Sequence, residues 1–287
     1  MKLRQLSALA ACLALLATAQ ARATAGADTL SAEAAAKSLF NGVWSPEHHP
    51  PGGPRGPGGP GGPRRGPPPG AGFGPPPGPG FGPPPGSPGG MQVSAEDQAK
   101  GLDPGDIRTR AMMTEEGRAK FATFDPLQHP TSNCKTPGLP AIAMIPELQE
   151  WKVSPTALEI RHESDAVVRT VHLDRNAHPA EAHTVLGHAV GSFAGEQLTI
   201  ETANLNAEWG GLGRNAPGSE ARIVRETYRL IDKDTIVGEI KVSDPRYLKQ
   251  DLRMPVVLKR QPAGTQIVDF PCDEEVARRD YLYMKRQ

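Results

Sequence analysis

The chain has 287 residues, with 32 basic and 32 acidic side chains and a formal charge of zero. Removing the first 23 residues takes away Lys2, Arg4 and Arg22 and leaves 29 basic against 32 acidic residues, a formal charge of −3. That balance excludes a nucleic-acid binder and a protein held on anionic lipid by charge.

Residues 1–23 read as a secretory signal peptide. Lys2 and Arg4 precede an apolar run over 6–17, and Ala19, Ala21 and Ala23 supply A-x-A cleavage sites. The run is too short to span a bilayer, so no transmembrane segment is expected after processing. Leu9-Ala10-Ala11-Cys12 also fits a lipoprotein box, but cleavage there would leave most of the apolar run on the mature chain. The expected destination is the periplasm or the medium, without an anchor at Cys12.

Residues 24–49 form a short N-terminal segment: an alanine-rich helical piece over 31–40, then Asn41-Gly42-Val43-Trp44 as a first strand. Of the 41 residues over 50–90, 34 are Gly or Pro, which cannot bury enough apolar surface to offset chain entropy. This zone is predicted to be a disordered or extended spacer. Its Pro-Pro-Pro tracts also suit a polyproline ligand for a partner groove.

Residues 91–136 read as a helical or irregular lead-in, broken at 101–105. From 137 to 272, short runs rich in β-branched residues alternate with turn signals, the signature of an antiparallel β domain. Strands are predicted at 141–144, 151–153, 157–163, 167–174, 184–193, 197–203, 221–231, 235–242 and 254–260. Residues 164–166, 194–196 and 232–234 are predicted turns. Consecutive hairpins imply a mainly β fold, an antiparallel meander forming a partly open barrel or a sandwich. Pro255 marks the last strand as an edge. A C-terminal helix over 273–285 offers Val276, Tyr281 and Met284 for packing. After processing, Cys134 and Cys272 are the only cysteines, and in an oxidising compartment two thiols read as one disulfide.

Side chains alternate across a strand, so each apolar face and its exceptions can be read off. His162 shares a face with Leu158 and Ile160. Arg169 shares one with Val167, Val171 and Leu173. His188 lies with Leu186 and Val190, and Glu226 with Val224, Tyr228 and Leu230. An unpaired buried charge is too costly to persist, so these four groups are expected to satisfy one another or to line a ligand cavity.

A metal reading uses His172, Asp174, His178 and His183, whose spacing matches no helical metal motif but would allow ligands to converge from a strand end and a loop. No G-x-S-x-G elbow is present. Trp209-Gly210-Gly211-Leu212-Gly213 lacks the lysine and the strand-to-helix context of a phosphate cradle. Gly187, Gly191 and Gly195 mark bends and a turn.

Over 187–198 (GHAVGSFAGEQL) the chain resembles a family of uncharacterised secreted bacterial proteins whose hallmark runs G-H-S-x-G-x-W-x-G-D-x-L-V-V-x-T. The likeness extends to Arg169, Asp174, His178-Pro179, Ser219-Glu220, Arg225-Glu226, Arg229, Asp244-Pro245 and both mature cysteines, over roughly residues 111–275. Ala189 stands where the family has Ser, Phe193 where it has Trp and Glu196 where it has Asp, which puts serine chemistry in doubt here. Its D-G-R turn is Asp174-Arg175-Asn176 in this chain. The resemblance implies a secreted β-rich domain and supplies no substrate. Gly42-Val43-Trp44 is also similar to the G-x-W that opens lipocalin-type barrels, which would make the Pro/Gly zone an insertion within the domain.

The function these features favour is a barrel-like protein that binds a small or lipidic ligand without catalysis, with His162, Arg169, His188 and Glu226 at the cavity. The alternatives are a metal-assisted hydrolase or acid/base isomerase using His188 and Glu226, and an envelope interaction protein acting through the Pro-rich arm. No cofactor is expected beyond a metal on the histidine set.

Overall fold

The computed structural model of the chain describes residues 37–47, 93–164, 166–178 and 182–284. The expected signal peptide, lipoprotein box and Pro/Gly spacer fall outside them. Among the described residues, no helix is long and apolar enough to cross a membrane.

Nine strands form one closed barrel: β1 (Gly42–Pro46), β2 (Gln149–Val153), β3 (Ala157–His162), β4 (Val168–His172), β5 (His188–Ala194), β6 (Gln197–Ala203), β9 (Ile223–Asp232), β10 (Thr235–Ser243) and β11 (Leu252–Arg260). Their spatial order is β1-β11-β10-β9-β6-β5-β4-β3-β2, back to β1. β7 (Glu208–Trp209) and β8 (Pro217–Gly218) make a separate two-stranded ribbon in the connection between β6 and β9.

The fold is mainly β, as the sequence predicts, but the barrel is closed. The closing strand is β1, which pairs Trp44 with Arg260 on one side and with Gln149 on the other. Nor is the order a pure meander. β4 and β5 run parallel, with Val171 opposite Ala189, across the long connection 173–187. A parallel pair needs a crossover of about a dozen residues or more, and this connection supplies one.

β11 is no edge strand, since it pairs with both β10 and β1. Pro255 is tolerated because it lies past Val257, whose carbonyl takes the last β1-side bond from Glu47 N–H (2.8 Å).

Residues 141–144 are a turn of helix instead of a strand. A four-residue apolar run carries no period to separate the two, and Pro140 starts the helix while Ile142 and Ala143 bury its inner side. This is α4 (Ala141–Met144). Before it come α1 (Ala95–Ala99), α2 (Pro104–Met112) and α3 (Glu115–Ala122). α2 begins in a capping box, with Asp103 and Asp106 each accepting from the other's backbone N–H and Pro104 in the first turn. Thr114 caps α3 by accepting from Gly117 N–H.

The barrel interior holds two apolar clusters. One gathers Phe40, Trp44, Trp151, Leu158, Ile160, Leu198 and Tyr228 at the end where β1 enters. The other joins Val224, Ile240, Val242 and Leu252 of the barrel to Met113, Phe121, Phe124, Ile142 and Trp209 of the helices and loops that cover the opposite end. Each fully buried Leu, Ile or Phe in these clusters contributes roughly 1.5–3 kcal/mol relative to exposure.

The C-terminal segment leaves the barrel after β11 and ends in α5 (Glu274–Met284). Cys134 and Cys272 stand at disulfide distance, Sγ to Sγ 2.09 Å, and tie this segment to the lead-in. Val276 does not pack as expected; it is 55% exposed. The side chains of Tyr281 and Met284 lie outside the described set.

Candidate functional site

A polar belt crosses the barrel between its two apolar clusters. The Arg169 guanidinium donates from Nη1 to Glu226 Oε1 (2.9 Å), from Nη2 to Glu226 Oε2, and from Nη2 to Thr202 Oγ1 (2.9 Å). Tyr228 donates its hydroxyl to Glu226 Oε1 (2.8 Å). Burial alone would lower the Arg169 pKa, but the charge and hydrogen bonds of Glu226 outweigh it and the net direction is up. Burial and the same carboxylate hold the Tyr228 phenol well above its ordinary range. His162 completes the belt from β3, opposite Gln149 of β2. Burial, with the nearby Arg169 charge, pushes its pKa down to about 3, so it is a neutral imidazole.

Three of the four residues picked from strand alternation therefore face inward. The fourth, His188, does not. Ala189 is buried opposite Val171 and Thr202, so His188 points outward. The expected alternation ran through Leu186, but β5 begins only at His188. Gly187, at φ +64°, breaks the parity before it. Its left-handed backbone and the Ala203 carbonyl, 2.4 Å from where a Cβ would sit, require glycine there.

On the outside of the wall His188 joins a second constellation. Its ring stacks on His172 of β4, with centroids 4.9 Å apart and planes 15° from parallel. His178, from the 173–187 crossover, approaches edge-on, Nδ1 to Nδ1 3.2 Å. His178 Nε2 lies 3.3 Å from Glu201 Oε1 of β6, and Glu201 also accepts from Arg225 Nε (2.5 Å). Two members of the expected metal set, His172 and His178, are brought together. Asp174 instead lies 4.0 Å from the neighbouring Arg175, and His183 is exposed. Among the described residues no three His, Cys, Asp or Glu side chains converge as ligands of one ion.

Sequence reasoning missed a second buried ion pair, Arg222 with Glu208 (3.3 Å). The 209–213 glycine-rich loop and β8 together hold this arginine: a Cβ on Gly211 of the loop or on Gly218 of β8 would fall 2.4 or 2.1 Å from Arg222 Nη1. Burial raises the Glu208 pKa to about 7 against the lowering effect of Arg222. Nearby, Asp244 accepts from Ser219 N–H and Oγ, and Asp106 from Asn215 N–H and Nδ2.

Two hollows open beside β11. The smaller, about 190 Å³, lies where β1 ends and is lined by Pro46, Glu47, Ala143, Met144, Pro255, Val256 and Val257. The larger, about 420 Å³, runs between α2, the 212–214 loop and the start of β11, and shares Met144 with the first. Its lining residues come from segments more than 30 positions apart, and no periodicity links them.

No protein-family model, no curated protein and no solved structure matches this chain.

Proposed function

We propose that the protein is an exported, barrel-like binding protein that holds a small or lipidic ligand without turning it over. The observation that carries this reading is the stretch of β11 that extends beyond its pairing with the short β1. There β11 runs on past its last bond to β1, and a largely apolar hollow with Glu47 at its side lies between it and α4. Val256, in the lining, packs against both core clusters. Concave, largely apolar openings with a few polar groups are where small molecules bind.

The enzyme alternative loses its main support. His188 and Glu226 lie on opposite faces of the wall, so they do not form a proton-handling pair. Export is supported by the paired cysteines, which persist in an oxidising compartment. The lipocalin-type likeness is supported by the place of Trp44 in the first barrel strand, fully buried under the Arg260 guanidinium at 4.2 Å. The likeness to the secreted bacterial family rests on the sequence motif.

The test is the intact mass of the mature protein purified from periplasm or medium, under native and denaturing conditions, with metal analysis alongside. A stoichiometric bound organic mass lost on denaturation supports the reading. A bare chain under both conditions that also binds no probe amphiphile overturns it.

A further inference from the structure

We infer that the larger cleft, between α2, the 212–214 loop and β11, is a binding site for an apolar carboxylate, with the chain laid over methionines and the carboxylate met by Arg108. The inference rests on the binding-protein reading and adds a place and a ligand class to it.

The cleft is mixed in character, and its apolar part is adaptable. Met112 of α2, Met144 of α4 and Met254 of β11 converge on one cleft with Leu212 and Leu252. Methionine is unbranched and polarizable, and a surface built from it accommodates chains of differing shape. The volume, about 420 Å³, lies in the ~300–1,000 Å³ range of small-molecule sites.

The rim decides the sign of the ligand. Its carboxylates are engaged: Asp103 with Arg214 (3.5 Å), Asp251 with Lys241 (3.1 Å), and Asp106 with Asn215 (2.7 Å). Arg253 is held by Glu239 (2.5 Å). Arg108 lines the cleft, is exposed, and makes no ion pair among the described residues. Arg214, also in the lining, pairs with Asp103 at 3.5 Å. An entering anion therefore finds one uncommitted guanidinium, that of Arg108. An entering cation finds carboxylates that already have partners. A guanidinium recognises a carboxylate with two parallel N–H donors, which sets a fatty-acid-like anion above a neutral alcohol of the same length.

The experiment is isothermal titration of the full mature protein with dodecanoate, dodecanol and dodecyltrimethylammonium, each below its micelle concentration. Dodecanoate is expected to bind best and dodecyltrimethylammonium worst. Arg108→Glu should weaken dodecanoate about tenfold or more, the scale of one charge-assisted contact, at unchanged melting temperature. Met144→Glu, at a position 40% exposed, should do the same. Dodecanoate binding left intact by both variants would overturn the site while the binding-protein reading stands. Equal affinity for all three probes would overturn the ligand class. No binding of any probe, with no co-purified organic mass, would remove both.

Discussion

Arg169 and Glu226 face each other across the inside of the barrel in a two-point ion pair, with Thr202 and Tyr228 supplying the remaining hydrogen bonds. Both side chains are almost fully buried. Such a pair holds its partners more by mutual need than by net gain, since its formation energy is offset by desolvation while its disruption strands a charge. Glu226→Ala should therefore cost roughly 3–5 kcal/mol, and Arg169→Leu/Glu226→Leu together less than either single change. Chemical denaturation of Glu226→Ala, of Arg169→Leu and Glu226→Leu singly, and of the double variant checks this. A double variant less stable than both singles would contradict a belt whose role is structural.

His162 sets an acid limit. Its folded pKa of about 3 lies below the ~6.5 of an unfolded histidine, so between these values the unfolded chain binds a proton that the folded chain refuses. Stability is thus present above pH ~6.5 and is lost as the pH falls toward 3, by up to about 5 kcal/mol. His162→Gln should flatten this limb, read as melting temperature between pH 4 and 7.

Glu208 works in the other direction. Its folded pKa of about 7 lies above the ~4.5 of an exposed glutamate, so the folded chain keeps a proton that the unfolded chain loses. The contribution is full below pH ~4.5 and falls away as the pH rises through 7, by roughly 3 kcal/mol. Glu208→Gln, measured against wild type over pH 5–8, should show a smaller decline toward alkaline pH.

Gly211 and Gly218 are held to glycine by the Arg222 guanidinium. Gly218→Ala should destabilise by about 1–3 kcal/mol through overpacking, and the same change at Gly195, with open space around its Cβ position, should cost less despite its φ of +59°. Thermal unfolding of the pair of variants tests the cradle.

Cys134 and Cys272, 138 positions apart, enclose the whole strand array from β2 to β11. Replacing both by Ser should lower stability by up to ~5 kcal/mol in the chain-entropy account, with the far-ultraviolet spectrum of the folded state retained.

Much of this architecture is written locally. Val224, Glu226, Tyr228 and Leu230 alternate with exposed Arg225 and Arg229, so β9 and its inward carboxylate are legible from one strand. His162 and Arg169 are legible in the same way. What local pattern does not carry is the phase of a strand whose start is set by a neighbour. His188 is turned outward because Ala189 packs against Val171 and Thr202, and only the parallel pairing of β4 with β5 reveals that. The cleft was equally hidden, since Arg108, Met144 and Met254 meet through the docking of α2 and α4 on β11. For residues 141–144, four apolar side chains are too few to show a period.

Trp44 and Arg260 are register partners separated by 216 positions, and they join the first strand of the barrel to the last. A chain made from its N-terminus exposes Trp44 early and holds nothing to pair it with until Arg260 has been synthesised. The seam is consequently among the last contacts available to form, and long-range pairing of this kind slows folding. The barrel cannot shut while its final strand is still on the ribosome, so closure waits for nearly the whole chain to be made.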